Sequence, residues 1–339
     1  MNIYVEYIAA ALTAFAFAAL LSYPVLALVR KLKAGQTVLE YVDKHMGKSG
    51  TPTMGGIIFI VAVISAAAVF GGIDDAFCAV ACAVTVSYGL LGFLDDFIKV
   101  RYKHNQGLKA YQKIVGQAGI AIIVTVFCYR NAYIGSEIYL PFTTAKLDLG
   151  WAFVPFCMFM FIGVTNAVNL TDGLDGLVAK CGGAGFTVTA LAALYLYGAV
   201  VSEGDVIMLA HVRATGLFCA CFAGALFAFV WLNSAPASIF MGDTGSLAVG
   251  GGLACATVFL KLPLLDLFIG IMYVVSCISV IVQVLVYKIK GKRVFLMAPF
   301  HHHLEYKGMK ESKIVARYVL ITIVAGMIGL IGFMAQSYE

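Results

Sequence analysis

YVEYIAAALTAFAFAALLSYPVLALV, at residues 4–29, is an apolar run whose one charged residue is Glu6. An α-helix needs about 20 apolar residues to cross the hydrocarbon core of a bilayer, so this run is long enough. Residues 1–6 hold no Lys or Arg, and the run is too long for the apolar core of a secretory signal peptide. It therefore predicts a transmembrane helix.

Comparable runs recur along the whole chain. The 339 residues are 62% hydrophobic and 12% charged, with a mean hydropathy of +0.94. A soluble domain carries about 25% charged residues. We therefore predict an all-α polytopic membrane protein of about ten transmembrane helices, forming one membrane domain over residues 1–339. The predicted spans lie near residues 4–29, 54–70, 76–94, 114–130, 150–166, 179–200, 213–232, 245–260, 264–287 and 314–335.

Basic residues are distributed unevenly between the loops. One alternate set of loops holds five, five, none, none and seven Lys or Arg residues, whereas the opposite set holds very few. Because cytoplasmic loops are enriched in Lys and Arg, we place the first set in the cytoplasm and both termini outside. On the outer side, the apolar alternation in residues 131–149 predicts a short β-hairpin. The cytoplasmic set comprises residues 30–53, 95–113, 167–178, 233–244 and 288–313.

Five polar motifs fall in this cytoplasmic set, too far apart in sequence for one loop to hold them. A helical bundle that gathers acids, amides, a lysine and histidines at one membrane face is most simply an enzyme for an anionic substrate. No nucleic-acid partner is expected. The motifs are GKSGTPTMGG with Lys48, FLDDFIK with Asp95 and Asp96, NLTDGLDGL at 169–177, NSAPASIFMGD at 233–243, and APFHHHLE with His301, His302 and His303.

Asp95 and Asp96 stand at the predicted end of the third span. A carboxylate near a helix C-terminus meets the negative end of the helix dipole, at a cost of about 0.3–1 kcal/mol. The placement is explained if a cation or a proton sits there, and Lys99, one turn on, is one candidate. The alternative is two solvated acids at the membrane edge. The pair at residues 74–75, in a tight outer loop without a supporting motif, is expected to be structural only.

Asn169, Asp172 and Asp175 are spaced by three residues, so they share a face if the segment is helical. The alternative is a purely structural role, in a turn in which an aspartate caps the sixth span.

Asp243 precedes the eighth span, where N-capping is one interpretation of its position. With Asn233 and Phe240 close in sequence, Asp243 is also a candidate for binding a metal beside a nucleobase or sugar.

Three consecutive histidines cannot easily converge on one tetrahedral zinc ion, so we interpret them as hydrogen-bond partners of phosphate or sugar oxygens. Lys48, in a glycine-flanked loop, offers a mobile positive charge for phosphate. The alternative for Lys48 is one more lysine that only orients the protein in the membrane.

Together the motifs TPTMGG, LDDFIK, NAVNLTDGLDGL, PASIFMGDTGS and APFHHHLE resemble those of the phospho-N-acetylmuramoyl-pentapeptide transferase family. This family belongs to the polyprenyl-phosphate N-acetylhexosamine-1-phosphate transferase superfamily. The motifs occur in the family's order between residues 48 and 305, and the form APFHHHLE favours this branch over the branch that uses UDP-GlcNAc.

The resemblance implies a Mg²⁺-dependent reaction at the inner membrane of a bacterium, in peptidoglycan synthesis. UDP-MurNAc-pentapeptide and undecaprenyl phosphate give lipid I and UMP, catalysed by a homodimer surrounded by membrane lipids. It further implies that Asp95, Asp96 and Asp243 are catalytic, with Asp243 as the Mg²⁺ ligand. The implied substrate-binding residues are Lys48, Lys99, Lys113, Asn169, Asp172, Asp175, Asn233, Phe240, Gln283, His301, His302 and His303.

A transporter is the rival interpretation from another class. Transporter sites lie near the membrane midplane in broken helices that carry charged groups. Here the predicted spans are nearly free of charge and the acids gather at one interface, which favours the enzyme. A lipid-binding scaffold would need neither three acidic motifs nor a histidine run.

Overall fold

The computed structural model describes residues 2–31, 50–102 and 107–334, and Lys48 lies outside the described residues. The described chain is mainly helical, with one small two-stranded sheet and three short 3-10 turns, at Gly72–Asp74, Gly150–Ala152 and Pro263–Leu265. The helices are α1 Ile3–Lys31, α2 Gly56–Val69, α3 Ala76–Tyr102, α4 Ala110–Arg130, α5 Phe153–Thr171, α6 Leu177–Glu203, α7 Val206–Asn233, α8 Gly242–Phe259, α9 Asp266–Ile269, α10 Ile271–Lys290, α11 Phe300–Tyr306 and α12 Glu311–Met334. The strands are β1 Glu137–Tyr139 and β2 Lys146–Asp148.

Eight helices of the described chain are long and apolar enough to cross a membrane, namely α1, α3, α4, α5, α6, α7, α10 and α12. The predicted class, an all-α polytopic membrane protein, is confirmed. The predicted spans 54–70 and 245–260 correspond to the shorter helices α2, with 14 residues, and α8, with 18. Residues 244–259 of α8 are all buried, so the surroundings of this helix are protein and not lipid.

Glycines allow the neighbouring helices to touch the backbone of α8. A Cβ added at Gly92 of α3 would lie 2.1 Å from the carbonyl oxygen of Asp243. A Cβ at Gly56 of α2 would lie 2.4 Å from the α8 backbone, and one at Gly250 would lie 2.6 Å from Cα of Thr165 in α5. Such small-residue contacts are how helices approach closely in membranes, where lipid gives no hydrophobic drive for association.

The two ends of the bundle carry different chemistry. At one end Glu6 of α1 pairs with Arg213 of α7, and Nδ1 of His211 lies 2.7 Å from Oδ2 of Asp75. Asp75 also accepts a hydrogen bond from the amide of Phe77 at the start of α3, which confirms a structural role for this acid. The predicted polar motifs meet at the opposite end.

Each end of the bundle exposes a tryptophan. Trp151, just before α5, is 79% exposed, and Trp231, near the end of α7, is 82% exposed. Tryptophans at both interfaces of a membrane are typical of spanning bundles.

The predicted hairpin is confirmed: β1 and β2 pair antiparallel, with Glu137 opposite Asp148. Three features of the helices differ from the sequence-based expectation. Helix α3 continues to Tyr102, so Asp95 and Asp96 lie inside the helix and not at its end. The predicted span 264–287 is divided at Gly270 into α9 and α10.

The third difference concerns the predicted loop 288–313. It contains the short helix α11, which carries the three histidines at residues 301–303. Consecutive histidines on a helix point in different directions, about 100° apart.

The α3–α8 contact should not tolerate even one methyl group. Gly92→Ala is expected to destabilise the protein by about 1–3 kcal/mol, because the added Cβ overlaps the α8 backbone. Gly119→Ala, in α4, is the matched control: no atom lies within 4 Å of its Cβ position. Alanine favours a helix over glycine by up to about 1 kcal/mol, so the control should unfold no earlier than the wild type. Thermal unfolding in detergent compares the two.

The charge distribution predicts which end faces the cytoplasm. A membrane-impermeant thiol reagent applied to intact cells should label Thr144→Cys, beside the hairpin, and should not label Lys310→Cys, before α12. Both positions are exposed, and eight of the nine native cysteines are buried. Labelling of Lys310→Cys from outside would overturn the predicted orientation.

Candidate active site

Asp243, in the first turn of α8, is contacted by side chains from three other helices. Its Oδ2 accepts hydrogen bonds from Nζ of Lys99 at 2.9 Å and from Nζ of Lys113 at 2.6 Å. Its Oδ1 accepts one from Nδ2 of Asn169 at 2.8 Å, and the same amide reaches Ser246 at 2.8 Å. Helices α3, α4 and α5 therefore converge on one carboxylate.

Asp95 shares these two lysines with Asp243. Its Oδ2 lies 2.5 Å from Nζ of Lys99, one helical turn away, and 3.6 Å from Nζ of Lys113. Its Oδ1 accepts a hydrogen bond from the amide of Leu108 at 2.8 Å. A Cβ at Gly107 would lie 2.4 Å from that same oxygen, so the chain after α3 passes directly over the carboxylate. Asp95 is consequently buried, with 1% of its surface exposed.

Asp96 faces the backbone at the start of α8. It accepts hydrogen bonds from the amide of Asp243 at 3.2 Å, and from the amide and hydroxyl of Thr244 at 3.0 Å and 2.7 Å. The interpretation of Asp243 as its own helix cap is therefore wrong. The N-cap residue is Met241, which makes no side-chain cap, and Asp96 of α3 supplies the acceptor instead. The positive end of the α8 helix dipole also stabilises a carboxylate at this position.

One oxygen from each of Asp95, Asp96 and Asp243 lies within 4.8 Å of the other two, an arrangement that could hold a metal ion. Hard carboxylate oxygens are the ligands that small divalent cations such as Mg²⁺ prefer. Positive charge already lies at this point, as the ammonium groups of Lys99 and Lys113. The three carboxylates thus offer the oxygen donors that a hard divalent cation takes, although three hydrogen bonds from the start of α8 already occupy Asp96.

Asp172 follows the last residue of α5 and lies close to this cluster. Burial raises the pKa of Asp172 well above its usual range, and the negative charges of Asp243 and Asp96 raise it further. Asp172 therefore holds its proton to a higher pH than an exposed aspartate does.

Asp175 and Asn233 shape the loop that leads into α8. Oδ2 of Asp175 accepts a hydrogen bond from the amide of Ala237 at 2.9 Å, and Nδ2 of Asn233 donates to the carbonyl of Ile239 at 2.9 Å. The backbone of Phe240 is held by two hydrogen bonds: its amide donates to the carbonyl of Pro52 at 2.8 Å, and its carbonyl accepts from the amide of Gly55 at 2.9 Å.

Two expectations for residues 169–175 are corrected. Because α5 ends at Thr171, Asn169 and Asp175 do not share a helical face, and they contact different partners. No aspartate caps the sixth span, since the N-cap of α6 is Gly176 at φ +73° without a side-chain cap.

The histidines of α11 lie next to this segment. A Cβ at Gly173 would lie 2.4 Å from Nε2 of His301 and 3.1 Å from Nε2 of His302, so glycine is what lets the two motifs meet. Nδ1 of His302 lies 3.0 Å from Oε2 of Glu305.

His303 and Gln283 hold the segment between α10 and α11. Nδ1 of His303 accepts a hydrogen bond from the amide of Leu296 at 3.1 Å. Oε1 of Gln283 accepts hydrogen bonds from the amides of Val294 and Phe295 at 3.1 Å and 2.9 Å. Both side chains therefore have a local structural partner.

The predicted residues thus form a centre and two flanking groups. The centre comprises Asp95, Asp96, Lys99, Lys113, Asn169 and Asp243, with Asp172 close by. One flank comprises Asp175, Asn233 and Phe240, and the other Gln283, His301, His302 and His303. Sequence reasoning missed the roles of Thr244 and Ser246, although both stand in the quoted motif PASIFMGDTGS. It also missed Gln117 and Asn166, whose only signal was an amide inside an apolar span.

Comparison with known proteins assigns the chain to a family. A family model described as glycosyl transferase family 4 matches residues 77–261, and a phospho-N-acetylmuramoyl-pentapeptide-transferase signature matches residues 48–60. A phospho-N-acetylmuramoyl-pentapeptide-transferase from Desulfitobacterium hafniense is 41% identical over 314 residues, covering 91% of this chain and 92% of the relative. The chain belongs to the phospho-N-acetylmuramoyl-pentapeptide-transferase family.

Two further members of the phospho-N-acetylmuramoyl-pentapeptide-transferase family show the same degree of similarity. The relative from Thermoanaerobacter sp. strain X514 is 44% identical over 301 residues, with 88% of this chain and 89% of the relative covered. That from Clostridium perfringens strain 13 is 42% identical over 311 residues, with 91% and 93% covered. The matches extend over nearly the full length of these relatives. Family membership and the eight apolar helices make the protein a multi-pass bacterial membrane protein.

Asp96 should matter for the stability of α8 as well as for activity. Asp96→Ala removes the acceptor of three hydrogen bonds at the start of α8, so unfolding should become easier by roughly 1–3 kcal/mol. Asp74→Ala, at an exposed position in the turn before α3, is the control and should change stability by less than about 0.5 kcal/mol. Equal melting temperatures for the two variants would contradict the capping role.

Proposed function

We propose that the protein transfers phospho-MurNAc-pentapeptide from UDP-MurNAc-pentapeptide to undecaprenyl phosphate, giving lipid I and UMP for peptidoglycan synthesis. The convergence of Lys99, Lys113 and Asn169 on Asp243, beside Asp95, carries the proposal. Phosphoryl transfer needs positioning and charge compensation more than covalent chemistry from the protein, and this cluster offers both. Near-full-length similarity to proteins of that name supports the substrates.

We assign the metal to Mg²⁺, with Asp243 as its principal ligand and Asp95 next to it. When bound there, the ion would neutralise charge on the pyrophosphate and on the departing UMP. Asp243 suits this role because its side chain is 16% exposed, whereas that of Asp95 is 2% exposed.

The two lysines compensate charge on the phosphates. Nζ of Lys99 and Nζ of Lys113 both contact Oδ2 of Asp243, at 2.9 Å and 2.6 Å. Each ammonium group therefore already lies beside the carboxylate at which the substrate phosphates would bind. A cation on Asp243 would leave these ammonium groups to bind phosphate oxygens. Lysine is well suited to phosphate as a compact, mobile point charge.

The roles of the acids then divide. Asp96 orients Asp243 by holding the first turn of α8. Asp95 either takes the proton of the attacking lipid phosphate or itself attacks the sugar-bearing phosphorus of the UDP-sugar and displaces UMP, after which the lipid phosphate displaces the aspartate. The exchange experiment below separates these two roles. The nucleotide and sugar would contact the two flanking groups, Asp175, Asn233 and Phe240 on one side and Gln283 with the histidines on the other. Lys48 and Asp172 are assigned to the same substrate. A homodimer remains a prediction from the resemblance.

Release of UMP is the direct test of the proposed function. Purified protein supplied with UDP-MurNAc-pentapeptide, undecaprenyl phosphate and Mg²⁺ should release UMP, and chelation by EDTA should stop the reaction. Asp243→Ala should abolish turnover, because the anchor of the ion is lost. UDP-GlcNAc in place of the muramoyl substrate should release none, which excludes the related transferase activity. Protein that is folded yet inactive under all conditions would reject the proposal.

Isotope exchange separates the two roles of Asp95. If the lipid phosphate attacks directly, labelled UMP enters UDP-MurNAc-pentapeptide only when prenyl lipid is present. Exchange that persists in lipid-stripped protein would instead indicate a covalent phospho-sugar enzyme with an aspartate nucleophile. Asp95→Asn should prevent turnover while nucleotide-sugar binding, measured by calorimetry, is retained.

A further inference from the structure

A pair of amide side chains joins α4 to α5 about one helical turn from the acid cluster. Nδ2 of Asn166 donates to Oε1 of Gln117 at 2.7 Å, and Nε2 of Gln117 lies 3.5 Å from Oδ1 of Asn166. Gln117 is fully buried. Two amides facing each other inside a membrane bundle are well satisfied, whereas one amide without a partner in that setting would be costly.

The amide pair lies one turn from two residues of the candidate site. Gln117 follows Lys113 by four positions in α4, and Asn166 precedes Asn169 by three in α5, so each amide shares a helix face with its site residue. Lys113 contacts Oδ2 of Asp243 and Asn169 contacts Oδ1. The relative register of α4 and α5 therefore decides whether both oxygens are contacted at once.

Further hydrogen bonds fix the orientation of the pair. Nδ2 of Asn166 also donates to the carbonyl of Ile162 at 2.7 Å, which prevents the amide from rotating freely. The hydroxyl of Tyr88 donates to the backbone carbonyl of Gln117 at 3.2 Å. Since Tyr88 belongs to α3, which also carries Asp95 and Lys99, all three helices that contact Asp243 are tied together at this level.

Apolar residues could fill the same space, but they would allow neighbouring registers at similar energy. A reciprocal amide pair is satisfied at one register only. Interhelical hydrogen bonds in membranes are individually modest in strength, so the pair adds specificity of alignment more than stability.

We propose that Gln117 and Asn166 are positioning residues that set the register of α4 against α5, so that Lys113 and Asn169 engage Asp243 together. The proposal rests on the proposed function, because it takes Asp243 as the centre of the reaction.

The decisive variant is the double substitution Gln117→Met with Asn166→Leu. Replacing both partners by apolar groups of similar shape leaves no buried polar group unpaired and should change stability little. If the pair serves alignment, kcat for UMP release should still fall about 10- to 100-fold, since small misplacements of catalytic groups have effects of that size. KM for the nucleotide sugar should change much less than kcat.

Tyr7→Phe is the matched control. Tyr7 of α1 donates to the carbonyl of Arg213 in α7 at 2.9 Å, an interhelical hydrogen bond at the opposite end of the bundle. Its loss should lower the melting temperature slightly and leave kcat unchanged. A double variant with the wild-type melting temperature and kcat within about two-fold of wild type would overturn the proposal.

A second measurement does not depend on turnover. Lys113→Cys with Asn169→Cys can be joined by a short bis-maleimide, and the yield should fall several-fold when Gln117→Met and Asn166→Leu are added. An unchanged yield would overturn the alignment role even if the wild-type protein released no UMP. Absence of UMP release from wild-type protein rejects the proposed function, and the cross-linking result then decides the register on its own.

Discussion

The close contact between α3 and α8 is the constraint on which the candidate site depends. Gly92 allows the two backbones to touch, and Asp96, one turn further along α3, accepts hydrogen bonds from the first turn of α8. Asp243 belongs to that turn, and Asp95 is adjacent to Asp96. One helix contact thus places two acids at a fixed separation without any flexible loop between them. Preorganisation of this kind is what catalysis by charge stabilisation requires.

The second constraint on the site is the electrostatic cost of burying its acids. One oxygen from each of three carboxylates lies within 4.8 Å of the other two, and two of these acids are nearly fully buried. Burying ions is unfavourable unless they are paired and hydrogen-bonded. Lys99 and Lys113 supply the pairing, while the backbone amides of α8 and Leu108 supply the hydrogen bonds. Three carboxylates beside two ammonium groups leave oxygen donors that one more cation could use.

Apolar runs and charged loops predict most of the fold, because crossing a bilayer imposes length and hydropathy on every lipid-facing helix. The acids of the centre are also predictable from the residues, since carboxylates beside apolar spans need a reason, whereas Lys113 is indicated only by the family resemblance. The partner of each residue is not predictable in this way. Asp96 capping α8 and Gln117 meeting Asn166 are contacts between distant segments. The division of the predicted span at Gly270 is likewise not apparent from its hydropathy.

The bilayer is the solvent of the outer helices, but not of the helix that carries Asp243. Only 28% of the residues in the apolar stretch of α1 and of α4 are buried inside the protein, and 22% of those in α10. These helices therefore respond directly to lipid or detergent. Helix α8 is surrounded by protein along nearly all of its length. Changes in bilayer thickness or acyl composition therefore reach Asp243 through Lys113 of the lipid-exposed helix α4 and not through the surroundings of α8 itself. The backbone that carries Asp243 is in this sense insulated from the membrane, whereas the lysine that compensates its charge is not.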